Sequence, residues 1–293
     1  MCDNDSLDDM IEYRLKAAGV SRRQFGALTL GAGMVSLLPP VANAAEVTES
    51  EVEIKTPDGT CDAHFVHPTK GKAPGVLVWP DIFGLRPAFR QMGKRLAESG
   101  YSVLTVNPFY RVKHAPTAPE HPDFNDPPTR TALFALAGGI TPQTNVTDAH
   151  AFVAWLDAQP SVDKKRKMGT TGYCMGGPLV MRTAAELPDR IGFGGSFHGG
   201  NLVTDKPDSP HLLVPKIKAQ FLFAIAENDD MRQPDAKDKL REAFAATKNP
   251  PPEIEVYKGT MHGWCPPDAQ VYNHDQAEHA WERQLALMKK ALG

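Results

Sequence analysis

The stretch "KMGTTGYCMGGPLVM", residues 167–181, decides how the rest of the chain is read. Its first half has the pattern of a buried strand, and from Gly176 onward it reads as a helix. Cys174 stands at the corner between them, with Gly172 before it and Gly176 and Gly177 after it. Two readings of that cysteine lie side by side. A buried cysteine is usually a small packing residue that fills a gap. A cysteine raised on a tight, glycine-flanked turn is a nucleophile, and then other parts of the chain must supply its partners.

Working outward, the same strand-to-helix rhythm recurs on both sides. "EVEIKTPDGTCDAHFVHP" alternates around Pro57-Asp58-Gly59 and predicts a hairpin. "PGVLVWPD", residues 74–81, is a short apolar run ending in a polar corner, as expected of a strand buried on both faces. A helix follows, with Pro87 in its first turn, Phe89, Met92 and Leu96 on one face, and Gly100 as its stop. "SVLTVNP" is again a strand, which implies a parallel crossover. Residues 111–143 break the rhythm with a proline-rich excursion and a short helix near "RTALFALAG". Segments of this length are often lids or binding loops.

After that excursion the alternation resumes. Val146, Ala149, Val153 and Leu156 mark one helix face. Three more strands are expected at "IGFGGSFHG", "AQFLFAIAEND" and "EIEVYKGTMHG", with a charged helix at about 234–247. A closing helix places Ala277, Trp281, Leu285, Met288 and Leu292 on one side. The whole reads as one α/β domain with a mainly parallel sheet and helices on both faces.

Composition narrows the function. The chain has 293 residues, 41% of them hydrophobic, and 32 Lys+Arg against 35 Asp+Glu, for a formal net charge of -3. No basic stripe of the kind that phosphate backbones demand is present, so nucleic acid is not an expected partner. The four cysteines lack the spacing of a structural zinc site, and no metal is expected. The N-terminus carries its own message. Arg22 and Arg23 precede Phe25, a Gly- and Ala-rich apolar stretch follows, and Ala42-Asn43-Ala44 forms a small-residue cleavage site. Residues 1–44 therefore resemble a twin-arginine export signal, too short and too broken by Pro39 and Pro40 for stable membrane insertion. The expected partner there is the twin-arginine export machinery. The mature chain, 45–293, would then reside in the periplasm.

In a parallel sheet, functional groups gather at the carboxyl ends of the strands. Four such ends carry chemistry here: Asp81 in "WPDIFG", Cys174 in "GYCMGG", Asp229 in "AENDD" and His262 in "GTMHGW". Nucleophile, acid, histidine is the chain order of α/β-hydrolase triads. A thiol with a pKa near ~8.5 reacts only as thiolate, so Cys174 needs a base such as His262. Asp229 would hold the imidazole tautomer, although Glu227 and Asp230 compete with it on spacing. His198, in "SFHGG", is the rival histidine; it precedes the acid and is read as pocket-lining, together with Phe83 and Trp264. The Met175 N–H and the Ile82 N–H are the expected oxyanion donors, each worth roughly 10²- to 10³-fold in rate.

"DIFG", "GYCMGG", "AENDD" and "MHGW", in this order, resemble the dienelactone hydrolase family, whose enzymes are also called carboxymethylenebutenolidases. The resemblance covers about residues 51–292. It implies a Cys174, Asp229, His262 triad that opens a lactone or ester through a thioester, with neither metal nor organic cofactor. It also implies a gate on the resting thiol at Asp81, where the family's own enzyme has a glutamate. A second departure lies four residues after His262, where Pro266 replaces an arginine that grips the substrate carboxylate in dienelactone-specific enzymes. The activity class carries over and the dienelactone substrate does not.

Three further readings stay open on the sequence. Cys265 lies three residues beyond His262 and invites a disulfide with Cys174 in an oxidising compartment. A thiol redox protein using that pair would lack the usual CxxC arrangement. A noncatalytic binding protein on the same fold is also possible, because a fold does not by itself establish chemistry.

Overall fold

A computed structural model describes residues 38–119 and 123–293. The twin-arginine motif and most of the apolar stretch behind it lie outside the described residues. Val47–Thr56 (β1) and Gly59–Pro68 (β2) form the expected hairpin, with Thr56 opposite Gly59 across a two-residue turn. Gly75–Trp79 (β3), Ser102–Val106 (β4), Met168–Tyr173 (β5), Ile191–Phe197 (β6), Gln220–Ala226 (β7) and Glu253–Tyr257 (β8) complete an eight-stranded sheet. Its order is β1-β2-β4-β3-β5-β6-β7-β8. β2 runs antiparallel to β4, and from β4 to β8 every pairing is parallel.

Strand alternation divides the core between the two faces. In β3, Leu77 and Trp79 point to one side, where they pack with Phe152, Met181, Phe221 and Phe244. Val76 and Val78 point to the other, among Phe89, Tyr173, Leu222 and Met288. Helices cover both layers: Pro87–Glu98 (α1), Pro127–Ala137 (α2), Pro142–Ala158 (α3), Gly176–Glu186 (α4), Glu227–Arg232 (α5), Ala236–Ala245 (α6) and His274–Leu292 (α7). α3 begins at a reciprocal cap in which the Thr141 and Thr144 hydroxyls accept from each other's backbone N–H, two donors that a helix start leaves unpaired. α7 buries Ala277, Ala280, Gln284, Met288 and Leu292, a face turned slightly from the expected one because Trp281 and Leu285 sit at its half-buried edge.

The chain leaves β3 for β4 on one side and later returns to β5 on the other side of β3. Two neighbouring strands whose connections diverge leave a crevice at their carboxyl ends. The crevice here lies between the ends of β3 and β5, next to Asp81 and Cys174.

One boundary differs from the sequence reading. β7 stops at Ala226, and "ENDDMR" continues as the short helix α5 instead of an extended strand end. Asp229 is thus carried on a helical turn. Among the described residues, no helix is long and apolar enough to cross a membrane.

Candidate active site

Cys174 follows β5 with a φ of +52°, in the left-handed region that non-glycine residues seldom occupy. Its N–H donates to the Phe197 carbonyl at 3.0 Å, and its own carbonyl accepts from the Gly177 N–H at 3.1 Å. Such a conformation costs energy and persists only where the surroundings impose it. The glycines show how tightly they do. A Cβ on Gly172 would lie 2.3 Å from the Gly176 carbonyl oxygen, and one on Gly176 would lie 2.4 Å from the carbonyl oxygen of Trp79. The turn between β5 and α4 is therefore pressed against the end of β3, and only hydrogen side chains fit.

His262 lies on the loop after β8. Its Nδ1 is 2.7 Å from Asp229 Oδ2, and its backbone N–H donates to Asn228 Oδ1 at 2.8 Å. α5 thus holds the histidine by ring and by backbone. The remaining nitrogen, Nε2, is buried without a hydrogen-bond partner among the described residues, and the Cys174 side chain lies near enough to the ring to act on its charge. Burial alone would push the imidazole pKa down, but the Asp229 carboxylate and Cys174 outweigh that and hold it up at about 10. Cys174 after β5 and Asp229 on α5 thus both act on His262 after β8. Glu227 and Asp230 are engaged elsewhere: Glu227 accepts the Gly259 N–H and Asp230 pairs with Lys237.

The loop after β3 carries the second half of the site. Asp81 accepts the Phe83 N–H at 2.9 Å and is bound at both oxygens by Arg86, at 2.6 and 3.0 Å. Arg86 turns its remaining edge to Asp268, at 2.7 and 3.0 Å. Burial works against the guanidinium charge, and the two carboxylates more than restore it. Asp81–Arg86–Asp268 thus ties the β3 loop to the segment just beyond His262. Asp81 and Arg86 are both buried, and removing one of that pair costs about 3–5 kcal/mol. Neither the Ile82 nor the Met175 N–H is taken by an acceptor among the described residues, so both are available to an oxyanion.

Of the pocket candidates, His198 and Trp264 are fully buried, and His198 meets the rings of His262 and Trp264 edge-on, with centroids 5.1 and 5.2 Å away. Phe83 is half-buried and meets Phe124 edge-on at 6.3 Å, and Phe124 meets Phe134 of α2 at 5.7 Å. The Thr117 hydroxyl donates to the Phe83 carbonyl at 3.1 Å, so the excursion 111–143 packs against the β3 loop. Cys265 does not reach Cys174. Neither is in a disulfide, and Cys265 is packed with Met92, Tyr173, Phe197 and Trp281. Sequence reading missed Arg86, Asp268 and Asn228. The only local hint was a basic residue five positions after Asp81, and its second partner is 182 residues away.

The model of the dienelactone hydrolase family matches residues 61–292. The chain belongs to the dienelactone hydrolase family. It is accordingly a lactone or ester hydrolase of that type, acting on a small-molecule substrate. A carboxymethylenebutenolidase of Rhodococcus opacus is 25% identical over 259 residues, covering 85% of this chain and 96% of the relative. That of Pseudomonas putida is 26% identical over 240 residues, covering 81% and 94%. A candidate dienelactone hydrolase from Klebsiella pneumoniae superposes with a TM-score of 0.73 at 22% identity, over 84% of this chain and 99% of its own, which establishes the shared fold.

Proposed function

We propose that this hydrolase opens a small lactone or carboxylic ester by thiol catalysis through a thioester on Cys174. The observation that carries the reading is the His262 ring, fixed at 2.7 Å on Asp229 through Nδ1, with the Cys174 side chain near enough to help hold its pKa up. With the imidazole charged, the thiolate is the favoured state of its neighbour, and a thiolate needs no further activation. It attacks the acyl carbon, and negative charge develops on the carbonyl oxygen, which the Ile82 and Met175 N–H groups receive. His262 then delivers its proton to the leaving oxygen. In a second step it takes a proton from water, and that water opens the thioester. Asp229 keeps Nδ1 protonated and Nε2 directed at the sulfur throughout. Asp81 can gate the thiol only by leaving Arg86, so in this reading its first role is to anchor the loop that presents Ile82.

The relatives' name denotes a dienelactone-opening enzyme, but Pro266 stands where that specificity would need an arginine. We therefore place the substrate in the wider class of small lactones and esters. We further propose that the enzyme works in the periplasm after twin-arginine export and cleavage near Ala44; N-terminal sequencing of exported protein should then begin at Ala45.

The test is turnover of an activated aryl ester and a panel of enol lactones under reducing conditions. The parent should hydrolyse at least one of them, and Cys174→Ala should lose roughly 10⁴-fold or more of that rate. Equal rates in the two proteins would remove Cys174 as nucleophile.

A further inference from the structure

His198 ends β6 in a position where a polar ring has no evident use. It is 1% exposed, and neither of its ring nitrogens has a partner among the described residues. Its backbone is left-handed, with a φ of +40°, and its N–H donates to the Ala224 carbonyl at 2.8 Å. That geometry drives the ring against His262, with the planes 69° apart. On its other contacts it meets Trp264, whose fully buried Nε1–H also has no partner among the described residues, and Tyr173, whose ring centroid is 6.0 Å away. His262 Nε2 completes the group. Three rings in contact, those of Trp264, His198 and His262, therefore carry four buried nitrogens without a hydrogen-bond partner among the described residues.

A buried polar group left without a partner is costly to a fold. Proteins hold internal water where several such groups converge on one place. His198 also stays neutral: burial, then the positive His262, and at longer range Arg86, push its pKa well below the usual histidine range. A neutral imidazole keeps one nitrogen as a hydrogen-bond acceptor, which the charged form would lack.

We propose that His198 holds the water that hydrolyses the acyl-enzyme, an inference that rests on the thiol mechanism above. The water gives one proton to His262 Nε2, while its other hydrogen is accepted by the unprotonated nitrogen of His198, which aims the oxygen lone pair at the acyl carbon. The new C–O bond forms, and the C–S bond breaks with its electron pair going to Sγ. The product leaves as the carboxylic acid, and the imidazolium–thiolate pair is restored. His198 has no task in the first half-reaction, because no water takes part there.

The two halves can be separated with an activated aryl ester, following the burst of aryl alcohol by stopped flow and the acyl adduct on the Cys174 peptide by mass spectrometry. His198→Phe keeps an aromatic ring against His262 and removes the nitrogens. It should retain the parental burst rate, accumulate the adduct, and release it roughly 10- to 100-fold more slowly. His198→Asn suits the left-handed backbone and retains an acceptor oxygen, so it should recover part of the loss. Adduct decay at the parental rate in both variants would overturn the proposal. So would a burst slowed as much as the decay, since His198 would then act only by packing His262. A parent without a Cys174-dependent burst would instead take down the thiol mechanism itself.

Discussion

Cys174 and Cys265 are the same side chain at nearly the same burial, 8% and 6% exposed, on either side of the sheet end that carries Tyr173. Cys174 sits on a left-handed turn with a charged imidazole against it. Cys265 sits in an apolar hollow, and burial alone pushes its thiol well above the ordinary cysteine range. Under the proposed mechanism the difference means that exposure does not set reactivity. Neighbours do: a buried thiol with a cation beside it can ionise, and one without it stays protonated.

The most severe way to erode that difference is to take away what keeps His262 charged. Asp229→Asn leaves the ring in place but offers Nδ1 the wrong hydrogen-bonding group, and kcat should fall by roughly 10²- to 10⁴-fold with a smaller change in KM. The His262 titration, followed by NMR, should move down from about 10. The sign for stability follows. A folded-state pKa raised above the unfolded value contributes stability that is complete below pH ~6.5 and lost as pH rises through about 10. The thermal stability advantage of the parent over Asp229→Asn should therefore be present at pH 6 and shrink across that window. An unchanged His262 titration would break the link between Asp229 and the reactive thiol.

A gentler change attacks the turn. Gly176→Ala sets a methyl group 2.4 Å from the Trp79 carbonyl oxygen and must shift backbone. It should cost about 1–3 kcal/mol of stability by denaturant unfolding. It should also lower kcat, because the Met175 N–H moves with the turn. An alanine tolerated with full activity would mean that the corner is looser than the contact distances imply.

Much of this was legible in the sequence, for a physical reason. Cys174 and His262 each follow a short apolar run, and in a parallel sheet strand ends converge, so local pattern was enough to expect them at one sheet edge. Asp229 stood level with Glu227 and Asp230 on spacing, and the family resemblance singled it out. The glycines around Cys174 announced the tight turn because no other residue fits there. What the local pattern could not carry was anything held by contacts distant in sequence. Arg86 reads as an ordinary basic residue before a helix proline until Asp81 and Asp268 close on it. Asp229 seemed to end a strand because "ENDD" contains nothing apolar to mark the turn into α5. Cys265 looked close to Cys174 through its spacing from His262, but the loop turns it towards α1 and α7 instead.

The most direct measurement of the central claim is competitive alkylation with iodoacetamide, read by peptide mass spectrometry from pH 5 to 9 on folded protein. A cationic His262 beside Cys174 predicts rapid modification of Cys174 already at the acidic end, loss of hydrolysis in step with it, and no labelling of Cys265. Labelling of Cys174 that rises only near pH ~8.5, as for an ordinary thiol, or that matches Cys265 throughout, would contradict the account.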